Sequence, residues 1–482
     1  MISMGSIIMT SIRHKAIILF IFILICNSGI VYSEESGVTN KSQKVYFTLE
    51  QAVSLALQAN RSILASGYDV LNQGLSLESV NSIFDLKIIP GARAGMSGGV
   101  TAEKEVGFGM SFEKRFTSGT KVSVRPDISR TEDTAGIYNT ESALSLEQPL
   151  LKGLGKEINL DRVKSAEFSI RLAKRSNYQT RVNTVLETVF TVYEIVRQRE
   201  LVRLNELLAG QMLGHAETAK AKERVGLSTP IDVYRAEINL KDVEDNLTAA
   251  RKAYQDTKDR LKTILSLPLQ TDIEISAPLT YAPVNLDSNG AIDIALKNRI
   301  EMEQLEDELK ESERKADIAK HNVLPELNLV FDYSRFSSSG DFNRSFGLEQ
   351  NKWGIMLVSR TDFYRTSERA AYGQSLNNIQ SLRLKYDGKR DEITKDVRNH
   401  LTTLKKLAET IKIRTEQINQ AEGKLSLAKI KFNYGLANNF DVIEAENELQ
   451  RSRVNLLSAN IDYIVGTYNI RAVLGTLIER KE

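Results

Sequence analysis

The chain has 482 residues, 41% hydrophobic and 26% charged, so it can bury a substantial core. Its formal net charge is +2, and removing Arg13 and Lys15 with the N-terminal segment leaves acidic and basic residues in balance, which gives no support for nucleic acid binding. The only cysteine, Cys26, lies in the same segment, so the rest of the chain can have no disulfide, thiolate nucleophile or cysteine metal site.

Residues 1–33 have the pattern of an export signal. Arg13 and Lys15 precede ten apolar residues, 16–25, and small and polar residues follow up to Ser33. A helix across a bilayer needs roughly 20 apolar residues, and no later segment approaches that length. We expect a signal peptide at 1–33; the alternative is a buried or anchoring N-terminal helix. If the mature chain spans a membrane, it must do so with β-strands closed into a barrel.

The chain is predicted to be a tandem duplication. Residues 219–265 align without a gap on residues 428–474. Gly226-Leu227 recurs as Gly435-Leu436, and a shorter echo relates residues near 52–57 to residues near 291–296. After an N-terminal linker at 34–47, we assign the first repeat to 48–285 and the second repeat to 286–482.

Each repeat reads as short helices, a β-like stretch, a very long helix, a glycine turn and a shorter helix. In the first repeat we predict a β-hairpin at about 88–150, a long helix at about 156–225, a tip at 226–230 and a helix at about 231–266. In the second repeat the corresponding elements are at about 325–363, about 366–434, 435–439 and about 440–475. The long windows contain no proline and carry apolar residues at spacings of three and four, as a coiled coil requires.

The β-like stretches alternate apolar and polar residues. Val106 to Phe112 and Leu327 to Tyr333 do so, which suits a membrane barrel with a wet lumen or a soluble sandwich. The export signal favours the barrel, and about four strands, two per repeat, are too few to close one without further chains. We expect Phe116–Thr120 to be the outer turn of two long strands, although Gly98-Gly99 and Asp133–Gly136 equally suit turns of a four-strand arrangement.

Three motifs appear in a specific order along the duplicated chain: Phe47–Leu57, Leu146–Gly155, and the paired glycine turns, each followed by Asp-Val. With the duplication, they resemble the TolC-like outer-membrane efflux family across essentially the whole mature chain. The resemblance implies a mostly helical α+β fold, a homotrimer with a shared 12-stranded barrel in outer membrane lipid, and a long α-helical tunnel in the periplasm. The second strand exit, Ser359–Tyr364, departs from the family because it lacks proline and glycine.

The function implied is a passive export duct of a tripartite efflux or type I secretion system. It would dock onto a periplasmic adaptor and, through it, serve an inner-membrane pump; the cargo stays open. No nucleotide-binding, nucleophile or zinc motif is present, so we predict no enzyme activity, cofactor or metal. His215, His321 and His400 are expected to be solvated helix residues. The alternative is a periplasmic coiled-coil adaptor or scaffold without a channel, although such proteins carry one helical hairpin and this chain has two.

The glycine turns are the first candidate site. Thr229 is predicted to cap the following helix, with Pro230 at its first position and Asp232 at its third, where a carboxylate favours the helix dipole. These residues at least turn the chain. The resemblance adds that both tips contact the adaptor, through Gly226, Leu227, Ser228, Thr229, Gly435, Leu436, Ala437 and Asn438.

The second candidate site is a periplasmic gate, also implied by the resemblance. Asp441 and Glu444 are three apart on one helix face, so a trimer would stack two rings of three carboxylates. Crowded carboxylates attract cations, and Phe432 would pack at the same closure. The alternative is that Asp441 only caps its helix and Glu444 faces water.

Overall fold

The computed structural model describes residues 44–97, 103–132, 136–280 and 286–480. The predicted signal peptide, most of the predicted linker and the predicted turns at Gly98-Gly99 and 133–135 lie outside these ranges.

The helices form two similar series, joined by loops and by a short 3-10 turn at Ser82–Phe84. Those of the first repeat are α1 (Leu49–Ala59), α2 (Arg61–Asn81), α3 (Lys156–Asn159), α4 (Asp161–Arg224) and α5 (Pro230–Ile264). Those of the second repeat are α6 (Ser288–Asn298), α7 (Ile300–Asn322), α8 (Phe342–Ser345), α9 (Thr366–Asn433) and α10 (Asn439–Val473). Helices α4 and α9 have 64 and 68 residues. At 1.5 Å per residue, each is roughly 100 Å long.

The strands form two sheets. In the smaller one, β1 (Val45–Thr48) pairs in parallel with β6 (Ile273–Ser276). The larger sheet is antiparallel throughout and has the order β2-β3-β4-β5-β7-β8. Its strands are β2 (Lys87–Ser97), β3 (Glu103–Arg115), β4 (Lys121–Glu132), β5 (Ile137–Pro149), β7 (Asn328–Ser339) and β8 (Gln350–Val358).

The prediction of about four strands is wrong, because the larger sheet has six, four of them from the first repeat. The predicted hairpin at about 88–150 is instead two consecutive hairpins, which is the four-strand arrangement given as the alternative for this segment. The Phe116–Thr120 turn was expected at the outer end, but it lies beside the start of the helical region. There Gly155 N donates to the Ser118 carbonyl at 3.1 Å, and Gly119, at φ +101°, packs against Gly153.

The strand register divides the larger sheet into an apolar and a polar face. Because side chains alternate along a strand, residues paired across the ladder share a face. Phe108 is paired with Ala92 and Ile128, and Phe331 with Leu146 and Ile355. The two alternating stretches predicted from the sequence therefore lie on one apolar face. This face carries Ile88, Ala92, Ala94, Val106, Phe108, Phe112, Val124, Ile128, Leu144, Phe331, Trp353 and Ile355.

The polar face carries an ion-pair clamp across three strands, made by Arg93, Glu105 and Asp127. Arg93 of β2 donates through Nε to Glu105 at 2.8 Å and through both terminal nitrogens to Asp127 of β4 at 2.7 and 2.6 Å. To reach β4, the guanidinium passes over Gly107 of β3. A Cβ there would lie 2.9 Å from the guanidinium carbon, so glycine is what lets the clamp form.

The helical core follows the predicted coiled-coil seam. Val185, Val189 and Val192 of α4 are buried in the first repeat, and Ile393 and Val397 of α9 are buried in the second. Burial of a branched aliphatic side chain stabilises the fold by about 1.5–3 kcal/mol. These side chains therefore hold each long helix, α4 and α9, against the helices packed beside it.

The described helices were also compared with the requirements of a membrane span. Not one of them combines sufficient length with sufficient apolar character to cross a bilayer as a helix.

Glycines in the sheet provide a test of the clamp. In Gly109→Ala, the new Cβ would lie 2.5 Å from Asp127 Oδ2 and 3.1 Å from the Pro126 carbonyl, so Asp127 must leave Arg93. We expect the free energy of unfolding of the sheet to fall by about 1–3 kcal/mol. Urea titration followed by fluorescence measures this directly, since Trp353 of β8 is the only tryptophan.

Gly95→Ala is the matched control, because a Cβ at Gly95 meets nothing within 4 Å. Equal losses in the two variants would show that the clamp does not stabilise the sheet.

Candidate functional site: the hairpin tips

The first tip joins α4 to α5 through the sequence Val225 to Thr229. Gly226 adopts φ +75°, which lets Leu227 N donate to the Lys222 carbonyl at 2.8 Å and close the end of α4. Thr229 then caps α5. Its hydroxyl accepts from Asp232 N, and Asp232 accepts from Thr229 N at 3.1 Å, which completes a capping box with Pro230 at the first helical position.

The second tip, between α9 and α10, repeats this geometry with different residues. Gly435 has φ +72°, and Leu436 N donates to the Lys431 carbonyl at 2.8 Å. Asn438 caps α10, accepting from Asp441 N at 3.0 Å, while Asp441 accepts from Asn438 N at 2.9 Å. The predicted cap at Thr229 is confirmed as local structure, and Asn438 has the same role at the second tip.

Both tips present apolar side chains to solvent. Leu227 is 77% exposed and Leu436 is 78% exposed, and Val225 and Tyr434 beside them are exposed to a similar degree. A hydrogen-bonded turn does not require leucine at its most exposed position. Each tip therefore presents a leucine side chain, Leu227 or Leu436, that the described residues of the chain leave exposed.

The predicted gate acids lie one helical turn apart at the start of α10. Asp441 is engaged by the Asn438 cap, as the simpler alternative expected. Glu444 lies on the surface, 3.4 Å from Lys424 Nζ of α9, and the same ammonium also binds Glu448. Hydrogen bonding to Glu448, with a further contribution from Glu444, raises the pKa of Lys424 above its ordinary value, so one firmly held positive charge accompanies these acids.

Phe432, the third predicted gate residue, contacts the other hairpin. Lys222 Nζ of α4 lies 4.0 Å from the centre of its ring, within the range of a cation–π interaction. Phe432 is thus one of the links between the two helical hairpins close to their tips.

A polar cluster above the tips joins the hairpins more firmly. Nε2 of His215 on α4 lies 2.9 Å from a carboxylate oxygen of Glu446 on α10, whose side chain is only 5% exposed. Lys429 of α9 contacts the other carboxylate oxygen at 3.1 Å, and Nδ1 of His215 lies 3.0 Å from Asn439 Oδ1. His215 is therefore not the solvated residue that was expected; its partners are more than 200 positions away in the sequence.

Burial alone would raise the pKa of the Glu446 carboxyl. Hydrogen bonds from His215 and Lys429 outweigh that effect and hold the pKa below its ordinary value. Glu446 therefore remains charged inside the helix bundle. Among the residues that the structure describes, no group of three or more potential ligands is arranged to hold a metal ion.

The chain is similar to proteins of one class. The sequence model described as outer membrane efflux protein matches residues 291–476, which contain the second tip and the gate acids. Outer membrane protein TolC of Vibrio cholerae serotype O1 is 22% identical over 333 residues, which are 66% of this chain and 73% of that protein. These matches make the chain similar to outer membrane efflux proteins over part of its length.

Solved structures share the fold of this chain. The Campylobacter jejuni CmeC outer membrane channel superposes with a TM-score of 0.69 at 14% identity, covering 95% of each chain. The outer membrane protein VceC of Vibrio cholerae has a TM-score of 0.68 at 15% identity, covering 89% of this chain and 96% of VceC. The chain therefore has the fold of these outer membrane channels.

The buried carboxylate of Glu446 yields a stability prediction. Glu446→Ala leaves His215 and Lys429 without their shared acceptor, so we expect the free energy of unfolding to fall by about 2–4 kcal/mol. Glu448→Ala is the control, because Glu448 pairs with Lys424 on the surface and should cost at most about 1 kcal/mol. Helix unfolding followed by circular dichroism measures both; equal losses would contradict the assignment.

The Glu446 carboxylate also predicts how the stability of the protein depends on pH. The folded-state pKa of Glu446 lies below its unfolded value of 4.5, so its contribution is present above that pH and is lost as the pH falls through the folded pKa. The wild-type protein should therefore lose more stability than Glu446→Ala as the pH falls from 4.5 through the folded pKa of Glu446, and the difference between the two proteins should be constant above that range. Parallel pH profiles for the two proteins would contradict this.

Proposed function

We propose that three copies of this chain form a passive export duct that docks, through its hairpin tips, onto a periplasmic adaptor serving an inner-membrane pump. The observation that carries the docking is the pair of exposed leucines, Leu227 and Leu436, on tips that are rigidly capped. A rigid turn with an exposed apolar side chain can bind a complementary helical groove with little loss of conformational freedom.

The duplication supports a two-site contact. Each chain presents two tips with the same φ at glycine and the same hydrogen bond from the leucine N–H, so one kind of adaptor helix can meet both. The capping residues differ, since Ser228 and Thr229 of the first tip correspond to Ala437 and Asn438 of the second. Any preference of the adaptor between the tips would come from these residues.

We also propose that Asp441 and Glu444 line the periplasmic end of the duct, where the three chains converge, and favour cations. Lys424 partly neutralises this acidic surface, because it binds Glu444 and Glu448 together. The selectivity of the duct then depends on the balance of these charges rather than on the two acids alone. Phe432, held against Lys222, would pack behind this closure.

Docking is tested by replacing both leucines. The double variant Leu227→Ser/Leu436→Ser keeps both glycines and both caps, so the chain should fold normally. We expect its affinity for the adaptor encoded with it to fall at least tenfold, because each lost apolar contact weakens binding by about 1–2 kcal/mol.

Leu227→Met/Leu436→Met is the matched control, since methionine preserves the apolar surface. Binding of the purified channel to immobilised adaptor provides the measurement. An unchanged affinity in the serine variant would exclude the tips as the docking site.

Selectivity is tested with Asp441→Asn/Glu444→Gln, which removes both charges while asparagine can still accept the capping hydrogen bond from Asn438 N. We expect reversal potentials in planar bilayers to move towards non-selective conduction. Lys424→Met should move them the opposite way, because it removes the compensating positive charge.

Glu244→Gln on α5 serves as the control, because Glu244 is an exposed acid that pairs with Lys241 of its own helix and does not contact Lys424. If neither the double variant nor Lys424→Met changes the ratio of cation to anion permeability, these acids do not form the gate.

A further inference from the structure

Among the residues that the structure describes, no strand pairs with the outer side of β2 or of β8 in the six-stranded sheet. In β2, residues 87–96 are exposed, and β8 is exposed at every position except Gly354. An edge strand carries a row of backbone N–H and C=O groups without strand partners, which cannot be left unpaired in the hydrocarbon of a membrane. A sheet of this kind therefore requires a further strand on each side.

We propose that the occupant of each edge is a second copy of this chain, with β8 of one copy pairing with β2 of the next. Three copies with six strands each would then close an eighteen-stranded wall. The inference rests on the proposed trimeric channel, and it departs from the twelve-stranded barrel that the family resemblance implies.

Strand direction and length fit this closure. Because neighbouring strands of the sheet are all antiparallel and their number is even, β2 and β8 run in opposite directions, and the junction between copies is antiparallel like the others. β2 has 11 residues and β8 has 9. A tilted strand of an outer-membrane barrel needs about 9–11 residues to cross the bilayer.

The two faces of the sheet continue to its edges. Ile88, Ala92 and Ala94 place β2 on the same apolar face as Trp353 and Ile355 of β8. Joining β8 to β2 therefore extends one apolar surface towards lipid, and it keeps the ion-paired polar face towards the lumen, as a membrane barrel requires.

The additional hairpin β2-β3 is built into the wall. β2 pairs with β3 at eleven positions, and β3 pairs with β4 at ten. The Arg93 clamp reaches across β3 to Asp127 of β4, so the first strand is tied to the third as well as to the second. A hairpin folded away from the sheet could not form this contact.

Helix α2, which leads into β2, is also unpartnered on one side. Its exposed apolar residues recur at spacings of four, three and four, which places them on one helix face. They are Leu64, Tyr68, Leu71 and Leu75. A neighbouring copy that pairs with β2 would approach the chain from this same edge of the protomer.

The number of strands sets the width of the duct. With strands about 4.8 Å apart and tilted by about 40°, a closed wall of twelve strands is roughly 24 Å across between backbones, and one of eighteen is roughly 36 Å. The outer opening of this channel would be half as wide again, so its narrowest point must lie in the helical region.

Disulfide cross-linking of the full-length chain in its native outer membrane tests the closure. Cys26 is the only natural cysteine and lies in the predicted signal peptide, so new cysteines can be placed without background. Ala92→Cys or Ala94→Cys on β2 is combined with Asn351→Cys or Ile355→Cys on β8. Oxidation should link most chains into covalent dimers and trimers on non-reducing gels for at least one combination.

Ile128→Cys on β4, combined with the same β8 positions, is the matched control. In a twelve-stranded wall without β2 and β3, β4 would be the edge and would cross-link to β8 of the neighbouring copy. Cross-links from β4 and not from β2 would overturn the proposal, as would a trimer that cross-links in neither set.

Electron cryomicroscopy of the purified channel provides an independent count, in which eighteen strands support the closure and twelve overturn it. Failure of the underlying function is distinguishable. A chain that purifies as a monomer and gives no conductance in planar bilayers would refute the trimeric duct itself, whereas a conducting trimer with twelve strands refutes only this inference.

Discussion

The backbone of an outer-membrane strand must find all its hydrogen-bond partners in other strands, because lipid offers none. In the part of the chain that the structure describes, β3, β4, β5 and β7 have strand partners on both sides, whereas β2 and β8 have a partner on one side only. The remaining architecture depends on this. A chain that cannot complete its own sheet is committed to assembly, and its long helices must be arranged so that several copies fit side by side.

The helical region solves a different problem, that of remaining straight over roughly 100 Å. It does so by avoiding proline and by burying a seam of branched aliphatic residues such as Val192 and Val397. Towards the tips smaller apolar clusters continue this packing, and polar links are added to them, among them the buried Glu446 carboxylate held by His215 and Lys429. These links join helices of different repeats, so the two hairpins are coupled where the duct is proposed to close.

Much of this was accessible from the sequence, because it depends on local patterns. The duplication, the long helices, the caps at Thr229 and Asn438 and the apolar alternation of β3 and β7 all follow from residues close together in the chain. The number of strands could not be decided from such local patterns. β2 contains Pro90, two glycines and two alanines, so it has little of the β-branched and aromatic character that marks a strand. Its place is fixed by long-range contacts such as Arg93 with Asp127.

The sites show the same division. The turns at Gly226 and Gly435 can be predicted from the glycines themselves. Between Ser359 and Arg365 there is no glycine, and Arg365 adopts the left-handed conformation instead, with φ +51°. Its side chain donates a hydrogen bond to the Val323 carbonyl at 2.8 Å. The His215 cluster could not be predicted in this way, because its members lie in different repeats. Only the packing of α10 against both α4 and α9 brings them together.

The even number of strands has a consequence for how such a protein can change. Strands enter this sheet in pairs, and each added pair, like β2 with β3, begins and ends on the helical side. The circumference of the proposed barrel can therefore increase by one hairpin at a time without any change in the number, length or order of the long helices. The diameter of the proposed duct at its outer end can therefore change during evolution while the hairpin tips, the proposed docking surface, stay the same.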